Sequence, residues 1–278
     1  MTDLALGAVI AFDFETWNVR DEIALLHEVG IRRVQIYRNY VQGITARKVR
    51  ETLDSSGLVI DSLHGYFYSA KFPGPMCDLS SPEASVRQAS LEIMRGEADF
   101  ARTLACRDVI VHPSAEGSVH GDPRRGAALA DAAQALAQLG RQQGIRFLVE
   151  NMPPPMFGDD APPLRQIVDD LDDAHVGLAY DTGHAMLAGD PVGIIRTMGP
   201  RLGAVHLHDN RGREDDHLIP GTGVAPFEDI ARALAEVGFA GTFMLEVYQT
   251  TAEVRRDLTP ARRAFIERLR RLASGRDA

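Results

Sequence analysis

From end to end the chain alternates short apolar runs with amphipathic stretches, and it completes the alternation eight times. The runs Leu6–Phe12, Arg33–Tyr37, Val59–His64, Asp108–His112, Arg146–Glu150, Val176–Asp181, Gly203–His206 and Thr242–Val247 have the length and composition of buried strands. Helical patterns lie between them over Asp21–Val29, Thr45–Ser55, Glu83–Ala105, Arg124–Gln143, Leu164–Leu171, Pro191–Met198 and Phe227–Val237, with Pro260–Ala273 closing the series. Gly30, Gly57, Gly144 and Gly238 stand just past helix ends, where a left-handed cap favours glycine. No linker-like or low-complexity segment interrupts the pattern, so residues 1–278 read as one domain.

Eight strand-helix units in a chain slightly above the ~250 residues typical of the class predict an α/β fold, a closed (β/α)8 or TIM barrel. The competing arrangement is a doubly wound open sheet, which calls for a glycine-rich phosphate loop after the first strand. Here the first strand runs instead into Asp13-Phe14-Glu15-Thr16-Trp17.

Four of the runs end in a group able to bind a metal: Glu150 after Phe147-Leu148-Val149, Asp181 after Leu178-Ala179-Tyr180, His206 after Gly203-Ala204-Val205, and Glu246 after Phe243-Met244-Leu245. A barrel gathers the C-terminal ends of its strands at one mouth, so three carboxylates and an imidazole are expected to converge. Left unpaired, each buried ion costs several kcal/mol against a fold stability of roughly 5–15 kcal/mol. A divalent cation removes the conflict. Carboxylate oxygens with one imidazole suit Mn, Mg, Co or Zn, and the ligand set alone does not choose among them.

Other polar groups fall near the same mouth. His206 and His208 are two apart and face one side of a strand; spacing allows either as the ligand, although His206 sits deeper in the apolar run. His184 lies three residues beyond Asp181, and a strand break at Gly183 would turn it inward; capping of the next helix is the alternative. His64 and His112 end strands. The long polar loop from Arg211 to Gly223 offers Arg211 and Arg213 for an anionic group, and His217, just before Leu218-Ile219, as an inward-pointing side chain. Trp17 and the run Tyr66-Phe67-Tyr68 follow strands one and three and can wall a binding site or merely cover the barrel.

The net charge of -9 argues against a dedicated nucleic-acid binder. The apolar stretch Leu4–Phe12 is short, stops at Asp13 and lacks a basic flank, so neither a signal peptide nor a membrane span is expected. Cys77 and Cys106 form no CxxC pair, and a reduced, cytoplasmic chain is the expectation. The arginine-rich stretch Arg255–Arg276 reads as the solvated face of a terminal helix.

Over nearly its whole length the chain resembles the sugar phosphate isomerase/epimerase group of the xylose isomerase-like barrel superfamily, which also contains the zinc apurinic endonucleases. The most specific segments are Val149-Glu150-Asn151, Asp181-Thr182-Gly183-His184-Ala185, His206-Leu207-His208-Asp209-Asn210, Asp216 through Gly223 and Leu245-Glu246-Val247. The resemblance implies that Glu150, Asp181, His206 and Glu246 bind one divalent metal and that the two glutamates also carry protons. It favours His206 over His208, because the family histidine stands three residues before an acidic residue, as His206 does before Asp209. The endonucleases use a larger set, matched here by His64, His112, Glu150, Asp181, His184, His206, Asp215, His217 and Glu246, so two or three ions are the alternative to one. Against that reading, Pro113-Ser114-Ala115-Glu116 replaces the glycine-containing, histidine-rich turn of the endonucleases.

The expected activity is metal-dependent isomerisation or epimerisation of a small keto- or aldo-sugar, or a related polyol derivative, through a cis-enediolate, with Glu150 and Glu246 moving the proton. His64, His112, His184, His217, Arg211 and Trp17 are the expected substrate contacts, and pairing into a homo-oligomer is compatible with such a barrel. A lyase or dehydratase using the same enediolate and a phosphodiesterase of the endonuclease type are the alternatives.

Overall fold

Strict alternation of side chains along each apolar run decides which layer each residue enters. In the computed structural model, which describes residues 3–12, 18–38, 40, 43–69, 74–118 and 121–276, the runs become strands β1 (Ala5–Phe12), β2 (Arg33–Arg38), β3 (Val59–His64), β4 (Asp108–Val111), β5 (Arg146–Glu150), β6 (Val176–Asp181), β7 (Leu202–Leu207) and β8 (Thr242–Leu245). They pair in parallel in sequence order, and β8 returns to β1 through Ala5 opposite Thr242, closing the barrel. The helices are α1 (Val19–Val29), α2 (Ala46–Asp54), α3 (Ala84–Leu104), α4 (Arg124–Gln143), α5 (Ala161–Leu171), α6 (Thr182–Ala188), α7 (Pro191–Met198), α8 (Phe227–Glu236), α9 (Thr251–Asp257) and α10 (Pro260–Ala273). None of the described helices is long and apolar enough to cross a membrane.

Phe147, Val149, Leu178, Tyr180, Val205, Leu207, Phe243 and Leu245 point outward into the main core beneath the helices. Their neighbours in sequence point the other way: Ile110, Leu148, Ala179 and Ala204 form a separate apolar layer inside the barrel. Two residues further along these same strands come His112, Glu150, Asp181 and His206, so the period of two lifts each polar group directly above an apolar one. At the opposite end Arg146 grips Asp108 at 2.9 and 2.5 Å, while Asp61 accepts from Arg33 at 3.1 Å and from Thr242 Oγ1 at 2.6 Å. The barrel thus has a charged floor, a packed apolar layer and a polar mouth.

Two helices depart from the sequence reading. Helix α6 starts immediately at the end of β6, with Asp181 as its N-cap accepting from His184 N, and so absorbs the expected break at Gly183. Helix α9 buries none of its residues and therefore has no apolar period to read. Strands β4 and β8 stop at Val111 and Leu245, leaving His112 and Glu246 one step beyond their strands but still at the mouth. Cys77 and Cys106 are free and buried. Trp17 lies outside the described residues.

Candidate metal centre

Glu150, Asp181, His206 and Glu246 meet at the mouth, each at most 2% exposed, with one ligand atom from each within 4.8 Å of all the others. His206 Nδ1 is the hub, 2.7 Å from Glu150 Oε1, 3.0 Å from Glu246 Oε2 and 3.9 Å from Asp181 Oδ2. Asn151, following Glu150, braces the next strand: Asp181 N donates to its side-chain oxygen at 2.8 Å and its amide donates to Asp181 O at 3.1 Å.

Such packing is electrostatically extreme. Burial alone would lower the His206 pKa, but the charges of Glu246 and Glu150 outweigh it and hold the imidazole well above its usual range. Burial likewise pushes the Glu150 carboxyl up, yet His206 and His112 outweigh it and hold it well below the ordinary carboxylate range. Glu246 is depressed in the same way, burial opposing and His206 prevailing.

The other histidines complete two flanking groups. His112 Nε2 and His64 Nε2 lie 3.2 and 3.7 Å from Glu150 Oε2, and His64 Nδ1 donates to Gly65 O at 2.9 Å. Burial pushes the His64 pKa down to about 4, so this ring is neutral and fit to ligate. On the other flank Asp215 Oδ2 stands 3.3 Å from His184 Nε2 and 2.9 Å from His217 Nε2. Asp215 is held far below its usual pKa, because hydrogen bonds from His184 and His217 outweigh its burial. His184 Nδ1 donates to Asn151 O at 2.8 Å, which fixes the ring. All nine residues of the larger set therefore share the mouth.

Arg211 does not join them. Its side chain is 64% exposed, pairs with Asp216 at 2.9 Å and is not among the residues lining the cavity above the centre. His208, which spacing alone allowed as the ligand in place of His206, is fully buried and donates from Nε2 to Asp181 Oδ2 at 2.9 Å.

Above the centre lies a cavity of about 430 Å³ walled by Tyr37, Phe67, Tyr68, Met152, Met156 and Tyr248, with His64, His112, His184 and His217 among its polar groups. No lysine or arginine lines it among the described residues. Tyr37, Tyr248, Met152 and Met156 were not singled out in the sequence. For Tyr248 a signal exists: it stands two residues past Glu246, the spacing that keeps an extended chain on one side.

A cation fits this donor set. Glu150 Oε2, His206 Nε2, His208 Nδ1 and Asp215 Oδ1 are buried with no hydrogen-bond partner, although a buried polar atom left unpaired costs about 1–3 kcal/mol. Oxygen-rich ligands with one imidazole match divalent Mn, Mg, Co or Zn.

The chain matches the family described as xylose isomerase-like TIM barrel over residues 23–273. An uncharacterized protein of Methanocaldococcus jannaschii is 29% identical over 185 residues, 62% of this chain and 62% of that protein. Inosose dehydratase of Bacillus thuringiensis is 28% identical over 142 residues, 45% of this chain and 47% of the enzyme. In both cases the chain spans less than two thirds of the relative's length. A crystal structure described as a D-tagatose 3-epimerase-like protein superimposes with a TM-score of 0.75 at 20% identity, over 98% of this chain and 99% of that one, which shows a common fold.

Proposed function

The chain belongs to the xylose isomerase-like TIM barrel family, and on that premise we propose that it is a divalent-metal-dependent isomerase or epimerase of a small keto- or aldo-sugar or related polyol derivative. One observation carries the reading: two glutamates deliver oxygens to the same histidine nitrogen, at 2.7 and 3.0 Å, beneath a cavity of sugar-accommodating size. Glu150, Asp181, His206 and Glu246 would hold the metal. A divalent cation supplies charge stabilisation for a carbonyl and an adjacent hydroxyl oxygen.

The remaining chemistry falls to side chains. Glu150 and Glu246 come from strands three apart in the closed ring, at the end of β5 and one residue past β8. One carboxylate removes the proton α to the carbonyl, leaving a cis-enediolate, and one returns it. Return to the opposite face of the same carbon is epimerisation, whereas return to the neighbouring carbon is isomerisation. Their depressed pKa values keep both carboxylates ionised at neutral pH, as proton acceptors must be. His64, His112, His184 and His217 are assigned to the substrate's hydroxyls, and the apolar walls Phe67, Met152 and Met156 to its carbon skeleton.

The test is solvent deuterium exchange with a panel of C3 to C6 keto-sugars on metal-loaded protein. Deuterium is expected at the reacting carbon and is expected to be lost in Glu246→Gln. Absence of exchange with every sugar would overturn the proposal.

The assembly of all nine residues at one mouth favours a second reading, a zinc phosphodiesterase of the apurinic endonuclease type. It predicts cleavage of abasic duplex with steep salt dependence. The lack of a described lysine or arginine in the cavity wall and the net charge of -9 weigh against it.

A further inference from the structure

Three nearly parallel rings stand in a row at the rim of the centre. His208 and His217 stack at 3.9 Å with planes 14° apart, and His217 and Tyr248 stack at 3.9 Å with planes 13° apart. Each outer ring holds a carboxylate of the four-ligand group. His208 donates from Nε2 to Asp181 Oδ2 at 2.9 Å, and Tyr248 Oη donates to Glu246 Oε1 at 2.7 Å. The middle ring comes from the loop between β7 and α8, where His217 adopts a φ of 47°, in the left-handed region that residues with a side chain rarely enter. Such a backbone persists only where its surroundings over-determine it. Here Asp215 fixes His217 Nε2 at 2.9 Å, the two flanking rings fix its faces, and Tyr248 N donates to its carbonyl at 3.1 Å.

We propose that His208 and Tyr248 are positioning residues which, with His217 clamped between them, set the orientation of Asp181 and Glu246 toward the metal. The inference rests on the reading of those two carboxylates as metal ligands. Asp181 has both oxygens engaged, Oδ1 by His184 N at 2.7 Å and Oδ2 by His208, so its carboxylate cannot rotate freely. Tyr248 occupies Oε1 of Glu246 and thereby selects Oε2 as the oxygen that faces His206 Nδ1 at 3.0 Å. Glu150 is oriented differently, through the hydrogen bond between its Oε1 and His206 Nδ1 at 2.7 Å. Partners of this kind orient ligands before the ion arrives, and their loss commonly weakens metal binding about 10–100-fold. Because His217 links the two ends, the clamp also makes metal affinity depend on the conformation of the loop that carries it.

The experiment is calorimetric titration of metal-stripped full-length protein with Mn²⁺, repeated with Zn²⁺, beside the melting temperature of each metal-free variant. Tyr248→Phe removes one hydroxyl and is expected to weaken binding about tenfold while the metal-free melting temperature stays at the wild-type value. His208→Ala is expected to weaken it roughly 10–100-fold, and His208→Gln, whose amide nitrogen stands where Nε2 does and can still donate to Asp181, to recover most of that loss. Wild-type affinity in both Tyr248→Phe and His208→Ala overturns the inference, and so does a His208→Gln variant no better than His208→Ala, since that would make the ring mere filling. If the wild-type protein binds neither ion, the four-ligand reading itself fails, which separates the two failures.

Discussion

Glu246 Oε2 stands 3.0 Å from His206 Nδ1 across the junction of two neighbouring strands. Glu150 Oε1 reaches the same nitrogen at 2.7 Å, so each glutamate can be neutralised without moving the hub. On the proposed mechanism, Glu150→Gln and Glu246→Gln each slow solvent deuterium exchange by about 10²–10⁴-fold, the usual worth of a general acid or base. Both are expected to bind metal more weakly as well. Exchange at the wild-type rate in either variant, followed by proton NMR at saturating metal, would show that its carboxylate carries no proton.

His217 titrates at about 8 instead of 6.5, because the hydrogen bond and charge of Asp215 outweigh the burial that lowers it. A raised folded-state pKa contributes stability that is fully present below about pH 6.5 and lost as the pH rises through about 8. At about 1.4 kcal/mol per unit the contribution is on the order of 2 kcal/mol. His184 and His206 shift in the same direction. Metal-stripped protein should therefore melt at progressively lower temperature as the pH is raised across that window, and Asp215→Asn should flatten the profile. A melting temperature that rises with pH there would contradict the assignment.

Asp209 accepts four backbone N–H groups, from Asn210 and Ala225 at Oδ1 (both 3.0 Å) and from Gly221 and Gly223 at Oδ2 (2.9 and 2.7 Å). This one buried carboxylate gathers both ends of the loop that bears Asp215 and His217. Removing it in Asp209→Ala orphans donors at about 1–3 kcal/mol each, so a loss of at least ~2 kcal/mol is expected in urea unfolding. Faster tryptic cleavage after Arg211 and Arg213 should accompany it. Unchanged digestion would show that the loop is held by other means.

A Cβ on Gly183 would stand 2.1 Å from His208 Cε1 and 2.3 Å from Asp215 Oδ1. Both neighbours are committed to other partners, so Gly183→Ala is expected to destabilise by about 1–3 kcal/mol and to weaken metal binding. Gly96 provides the opposite case, since it lies in the exposed interior of α3 with nothing within 4 Å of an added Cβ. There alanine should stabilise by about 0.5–1 kcal/mol through helix propensity. Thermal melts of the two variants check the pair of signs.

All eight strands were legible because each is a local apolar run, and Glu150, Asp181, His206 and Glu246 were legible because each ends or closely follows one. Helix α6 escaped because it begins at the very residue after β6 and contains Gly183, while α9 escaped because a helix that buries nothing carries no amphipathic signal. The pairing of Arg211 with Asp216 and the engagement of His208 with Asp181 are choices between competing partners. The first is set by the turn of one exposed loop and the second by a distance across the folded mouth, neither of which the spacing along the chain encodes. Tyr248 lies between these cases: its side was readable from Glu246, but its stacking on a loop histidine was not.

The charged floor and the apolar layer of Ile110, Leu148, Ala179 and Ala204 close the barrel below the four ligands, while the cavity lies above them. Metal and substrate must then share a single route, and a sugar seated in the cavity would lie across the ion's way out. On the proposed function, addition is therefore expected to be ordered, metal first and substrate second. A chelator should strip the free protein quickly and the substrate-saturated protein slowly, with the substrate acting as a stopper above the ion.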